Sequence, residues 1–154
     1  MKAEIDIQKA TDVTDLPKKR EFRRWAKMAL KGRRKRAELT IRLVDESESR
    51  HLNRAFRGQN NATNVLSFPF DAPAVVGSYL LGDLVICAPV VQQEAELQGK
   101  QLTAHWAHMV VHGTLHLLGL DHQTDREALK MESAEVAILA KLGFSDPYVD
   151  GHRL

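Results

Sequence analysis

The stretch HGTLHLLGLDH, residues 112–122, holds three of the 7 histidines in a chain of 154 residues. A helix turns about 100° per residue, so His112 and His116 lie one turn apart on the same face. Gly119 then offers the left-handed conformation that ends a helix and turns the chain back on itself. That reversal can bring His122 opposite the pair, so that three imidazoles converge on one point. Neutral imidazole suits zinc, and three protein ligands leave a fourth position for water, as in a catalytic site and not a closed structural one.

The spacing matches the long zinc-protease pattern H-E-x-x-H-x-x-G-x-x-H except at its acid. In such proteases the glutamate after the first histidine accepts the proton of the metal's water. Here that position is Gly113. A peptidase built this way lacks its proton acceptor, whereas phosphodiester hydrolysis chiefly demands neutralisation of charge on the phosphate. The histidines therefore point to a zinc hydrolase with one Zn²⁺ per chain, and the glycine counts against peptide cleavage. His105 and His108 fall within about 60° of the ligand face on the preceding turns; they are read as structural histidines, with orientation of the site as the other reading. Asp121 is either a turn residue or a carboxylate steering a neighbouring histidine.

The elements that must position these residues follow from periodicity. AEIDIQ and ELTIRLVD alternate apolar and polar residues and predict two strands. Between them, Pro17 marks a helix start, Phe22, Trp25, Ala26 and Ala29 an apolar stripe, and Gly32 a stop. ESESRHLNRAFR reads as a short helix ending near Gly58. TNVLSFPF and LLGDLVICA predict strands three and four, separated by a loop containing Pro73 and Gly77. PVVQQEAELQG reads as a helix closed by Gly99. TAHWAHMVVHGTLHLLG is apolar on nearly every side, which requires a central buried helix. Thr124 with Glu127 is a capping box opening a last helix that Gly143 ends. The expectation is an α+β fold in a single domain over 1–154: a mixed sheet of about four strands packed around a central buried helix that carries the histidines.

Composition narrows the setting. With 44% hydrophobic and 27% charged residues the chain is globular, and no apolar run approaches the ~20 residues of a membrane span. MKAEIDIQKA puts acids where an export signal needs an apolar core, and the only cysteine, Cys87, fits a reducing compartment, so a cytoplasmic protein is expected. Residues 1–36 hold 13 lysines and arginines against 5 acids, and the remainder 9 against 15. Blocks such as KKREFRRWAK and KGRRKR thus form a basic pole, either a solvated helix face or a surface for a phosphate backbone.

HGTLHLLGLDH also resembles the H-G-x-L-H-L-x-G-x-D-H signature of the YbeY family, bacterial metal-dependent endoribonucleases of ribosomal RNA maturation and ribosome quality control. The likeness extends through FRGQNNATNVLSFPF, LLGDLVIC and AHWAHMVVHG, most of residues 37–149. It implies a single-strand-specific endoribonuclease acting at the 16S 3′ end, with the ribosome, ribosomal proteins or an assembly GTPase as partners and no membrane. It implies His112, His116 and His122 as metal ligands, with His112 and Arg57 needed for catalysis. A guanidinium at 57 can clamp a phosphate with its planar fork. Asp83 matches a family aspartate, and a charge in an apolar strand needs a partner; an ion pair and a catalytic role both stay open. The chain departs from the family at Asn60, Ala62 and Asn64, where relatives carry Asp, Pro and Asp, and at Leu120, where an aromatic or histidine is frequent. Fewer carboxylates leave a groove more open to an anion. A zinc peptidase on the same histidines and a non-catalytic ribosome assembly factor are the alternatives.

Overall fold

A computed structural model of the chain describes residues 1–70 and 79–149. The elements run β1 (Lys2–Ala10), α1 (Lys19–Leu30), β2 (Arg36–Val44), α2 (Glu46–Arg57), β3 (Val65–Pro69), β4 (Leu80–Cys87), α3 (Ala88–Leu97), α4 (Leu102–Leu117) and α5 (Asp125–Lys141). The four strands form one mixed sheet in the order β1-β2-β4-β3. β1, β2 and β4 are parallel, and β3 closes the edge antiparallel to β4. The expected α+β class and four-stranded mixed sheet are therefore observed. The loop expected around Pro73 and Gly77 lies outside the described residues.

Strand alternation builds the main core. Ile5 and Ile7 stand beside Leu39 and Ile41, and Ile41 stands beside Leu84, so one face of the sheet is a continuous aliphatic row. The stripe Phe22, Trp25, Ala26, Ala29 and Leu30 of α1 packs against this core, with the Phe22 ring edge-on to Trp106 of α4 at 5.5 Å. The opposite face carries a smaller cluster of Val44, Leu66, Val85 and Cys87, with Leu52 of α2 against it.

α4 is the hub. Every residue from His105 to Leu115 is buried, and the helix touches α1, α3, α5, β3 and β4. An all-round apolar sequence needs neighbours on all sides, and the layers supply them. Gly113 lets α4 lie close to the sheet: a Cβ there would stand 2.7 Å from a Leu84 methyl and 3.3 Å from one of Val65.

The ends behave as their residues dictate, with one shift. α1 begins at Lys19, two residues beyond Pro17, because the Glu21 carboxylate accepts the Lys18 N–H at 3.1 Å and fixes the first turn there. Thr124 caps α5 by accepting the Glu127 N–H at 3.1 Å. Gly58 closes α2 in the left-handed conformation. No helix among the described residues is long and apolar enough to cross a membrane.

Candidate metal centre

His112 and His116 project from the last two turns of α4. Leu118 ends the helix, and Gly119, at φ 99°, turns the chain so that His122 returns toward the pair. The ring centroids are 6.1 Å apart for His112 and His116, 5.6 Å for His112 and His122, and 5.7 Å for His116 and His122. Three imidazoles bound to one tetrahedral zinc at its usual bond lengths would have centroids about 5 Å apart, somewhat closer than these rings stand. Side-chain exposure rises from 10% at His112 through 24% at His116 to 45% at His122, so the cluster opens to solvent on one side.

Asp121 is a member of this cluster. Its Oδ1 accepts the His122 backbone N–H at 2.7 Å, which is a turn role, and it also lies 3.7 Å from His116 Nε2 and 3.9 Å from His122 Nδ1. The donor atoms of His116, Asp121 and His122 all fall within 4.8 Å of one another, and His112 stands outside that group. The carboxylate therefore stands beside two of the imidazoles and could offer a further oxygen, which neither sequence reading of it anticipated in full. Burial holds the His116 imidazole below its usual basicity, and His112, His122 and Arg57 push the same way against Asp121. The Arg57 charge is thus felt at His116, as the weakest of these influences. Arg57 is the exposed last residue of α2, and Gly58 stops the helix right behind it.

The sequence reading missed Glu135. It stands on α5 with 1% of its side chain exposed, and its Oε2 lies 3.1 Å from His112 Nδ1. Its other oxygen lies 2.5 Å from His108 Nε2 and also accepts the Tyr148 hydroxyl. Burial alone would raise this carboxyl, but the hydrogen bonds from His108 and His112 outweigh it and bring it down to about 2. An ionised carboxylate only accepts, so each imidazole must donate to it. His108 then keeps a bare Nδ1, and that atom has no partner in the core. Burial depresses the basicity of His108, in keeping with a neutral ring, and raises the Tyr148 hydroxyl. A signal for Glu135 was present: it takes an inward position on the stripe of Met131, Ile138 and Leu139, where a charge needs a partner.

His105 makes a parallel arrangement with Glu94 of α3 at 2.9 Å. Burial pushes the Glu94 carboxyl up, but hydrogen bonds from His105 and Asn64 bring it below its usual value. His105 and His108 thus satisfy a part-buried and a buried carboxylate and do not face the open cluster.

Two expectations are corrected. Asp83 was expected to need a partner as a charge in an apolar strand. Because β4 directs Leu84 toward Gly113 and α4, Asp83 points from the other face, exposed, and forms no ion pair among the described residues. Asn64, where relatives carry an acid, was expected only to make the groove less acidic. Its Nδ2 instead donates to both oxygens of Glu94 at 3.2 Å and its Oδ1 accepts the Val65 N–H at 2.7 Å, tying β3 to α3.

The absent glutamate now has a physical reason. The side chain of residue 113 would point at the sheet, into Leu84 and Val65, and not at the solvent-open cluster.

Comparison with known proteins agrees with this architecture. The family model described as Endoribonuclease YbeY matches residues 4–143. Proteins named Endoribonuclease YbeY from Pseudomonas entomophila (strain L48) and Pseudomonas putida (strain F1) are each 56% identical over 148 residues, covering 96% of this chain and 94% of theirs. The solution structure of a Thermotoga maritima protein shares the fold with a TM-score of 0.56 at 23% identity, over 96% of this chain and 99% of that one. With the family pattern matched from the first strand to the end of α5, the chain belongs to the YbeY endoribonuclease family.

Proposed function

We propose that this endoribonuclease is zinc-dependent and cuts single-stranded ribosomal RNA, at the 16S 3′ end, during maturation and quality control of the ribosome in the cytoplasm. The observation that carries the metal reading is the triangle of His112, His116 and His122 rings, 5.6 to 6.1 Å apart and open on one side. Those three residues would hold the cation, with Asp121 alongside His116 and His122, whose donor atoms it already approaches. Zinc bound there would supply Lewis acidity toward a phosphoryl oxygen and lower the pKa of a coordinated water.

The chain's own residues do the rest. Arg57 binds and orients the scissile phosphate through its planar guanidinium, the role that the family resemblance gives it. His112, held by Glu135, stays fixed at the inner wall of the cleft. The exposed cations of α1 and the following turn, Arg20, Arg24, Lys27, Lys31, Arg33, Arg34 and Lys35, have no ion pair among the described residues. They give affinity for an RNA backbone without reading its sequence. A cleft of this kind reaches a phosphodiester only where the strand is accessible. Ribosomal proteins or an assembly GTPase are the further partners that the family resemblance suggests. The peptidase reading loses support, because Gly113 leaves no space for the general base.

Metal content of the purified protein, paired with RNA cleavage before chelation, after chelation and after zinc add-back, tests the proposal. His112→Ala is expected to lose both zinc and cleavage, while Arg57→Glu keeps the zinc and loses cleavage. Full zinc in His112→Ala would remove the assigned ligand set. Casein cleavage that follows the zinc would restore the peptidase. Normal ribosomal RNA ends in deficient cells carrying folded triad variants would favour the assembly factor.

A further inference from the structure

We propose that Glu135 is a positioning residue for the metal centre, fixing the tautomer and the ring angle of His112 from behind. The inference rests on the zinc reading above and extends it to a residue on a different helix. His112 offers two nitrogens, and only one can face the open cluster. The Nδ1 edge lies 3.1 Å from Glu135 Oε2, and both groups are buried. A buried carboxylate at that distance accepts a hydrogen bond from Nδ1–H and keeps the proton on that nitrogen, which leaves the Nε2 lone pair for the cation side. A ring free of that contact could turn about its two side-chain torsions and present a proton in place of a lone pair.

The carboxylate is itself held. Its second oxygen accepts from His108 Nε2 at 2.5 Å and from the Tyr148 hydroxyl. His108 stands one turn before His112 on α4, and Tyr148 follows α5 in the chain. Three donors from two directions therefore fix one carboxylate, and the carboxylate fixes one ligand. A residue whose only task was to satisfy His108 would need a single acceptor oxygen. Here the second oxygen is given to a metal ligand, and that division is the reason to assign Glu135 to the centre.

The test is zinc affinity, by competition between the apo protein and a chromophoric chelator, with melting temperature and the visible spectrum of the Co²⁺ form recorded for each variant. Glu135→Gln keeps an acceptor for His112 and is expected to bind close to wild type with an unchanged spectrum. Glu135→Leu removes it, and loss of an outer-shell partner of this kind lowers affinity about 10- to 100-fold, with a shifted cobalt spectrum. Should Glu135→Leu fail to fold, the pair Glu135→Leu with His108→Leu, which strands no imidazole beside the new side chain on the His108 side, is read instead. Wild-type affinity and spectrum in the folded leucine variant, with only the melting temperature lowered, overturn the inference and leave the zinc reading standing. A wild-type chain that takes up no zinc overturns both.

Discussion

Gly113 carries a quantitative consequence. Replacing a glycine inside a helix by alanine ordinarily stabilises it by about 0.8–1.0 kcal/mol. At residue 113 the new methyl would stand 2.7 and 3.1 Å from the two methyls of Leu84, a side chain with 0% exposure and no space to retreat into. Forcing an extra methyl into a packed core costs about 1–3 kcal/mol. The clash outweighs the helix gain, and Gly113→Ala is expected to destabilise by up to about 2 kcal/mol, or about 4–8 °C in melting temperature for a chain of this length. A double-mutant cycle in urea isolates the cause. Leu84→Ala alone costs about 2–5 kcal/mol through its cavity. In the Gly113→Ala background it removes the clash and the new methyl fills part of the void, so a favourable coupling of about 1 kcal/mol or more is expected. Gly113→Ala that stabilises by its full helix gain, with a cycle additive within about 0.5 kcal/mol, would refute the close approach of α4 and the account of the missing glutamate that depends on it.

Acid should weaken the metal-free protein in two stages, followed by urea melts from pH 7.5 to about 2. His108 is held below its ordinary 6.5 by burial, so its contribution is present above that pH and is lost as the pH falls beneath it. Glu135, brought down to about 2, and Glu94, also lowered, contribute fully above the ordinary 4.5 and lose their contributions as the pH falls toward their folded values. Stability that is flat from pH 7.5 to 5.5 would show that His108 is not kept neutral by its surroundings. On α1, Arg20→Gln, Arg24→Gln and Lys27→Gln together should reduce the log–log salt dependence of single-stranded RNA binding by about 2, roughly 0.7 for each lost phosphate contact; an unchanged slope would remove this face from the RNA surface. Asn64→Asp sets a second carboxylate against Glu94 and should lower stability most at neutral pH, where both are ionised; a triple mutant lacking Glu94 and His105 as well should lose that effect.

How much of this was legible from residues alone depended on how local each cause was. The all-round apolar helix, the alternating strands and the Gly119 turn are short-range patterns, and they placed His112, His116 and His122 before any coordinates. Glu135 could be noticed as a charge on an apolar stripe, but its partners stand 23 and 27 residues away, and only the packing of α5 on α4 brings them together. Gly113 was read as the absence of a base. Its reason, the nearness of Leu84, exists only once a strand and a helix have met. Asp83 misled because a mostly apolar strand was taken to bury its charge, whereas this sheet leaves part of its second face to solvent.

The three imidazoles do not share one foundation. Two stand on the most deeply enclosed helix of the molecule, and the third stands beyond the Gly119 bend on a half-exposed connection. Local opening starts where backbone is exposed and contacts are few. Under heat or mild denaturant the connection would let go while the layers around α4 still hold, so His122 would part from His112 and His116, and any activity that needs all three would fade ahead of the fold.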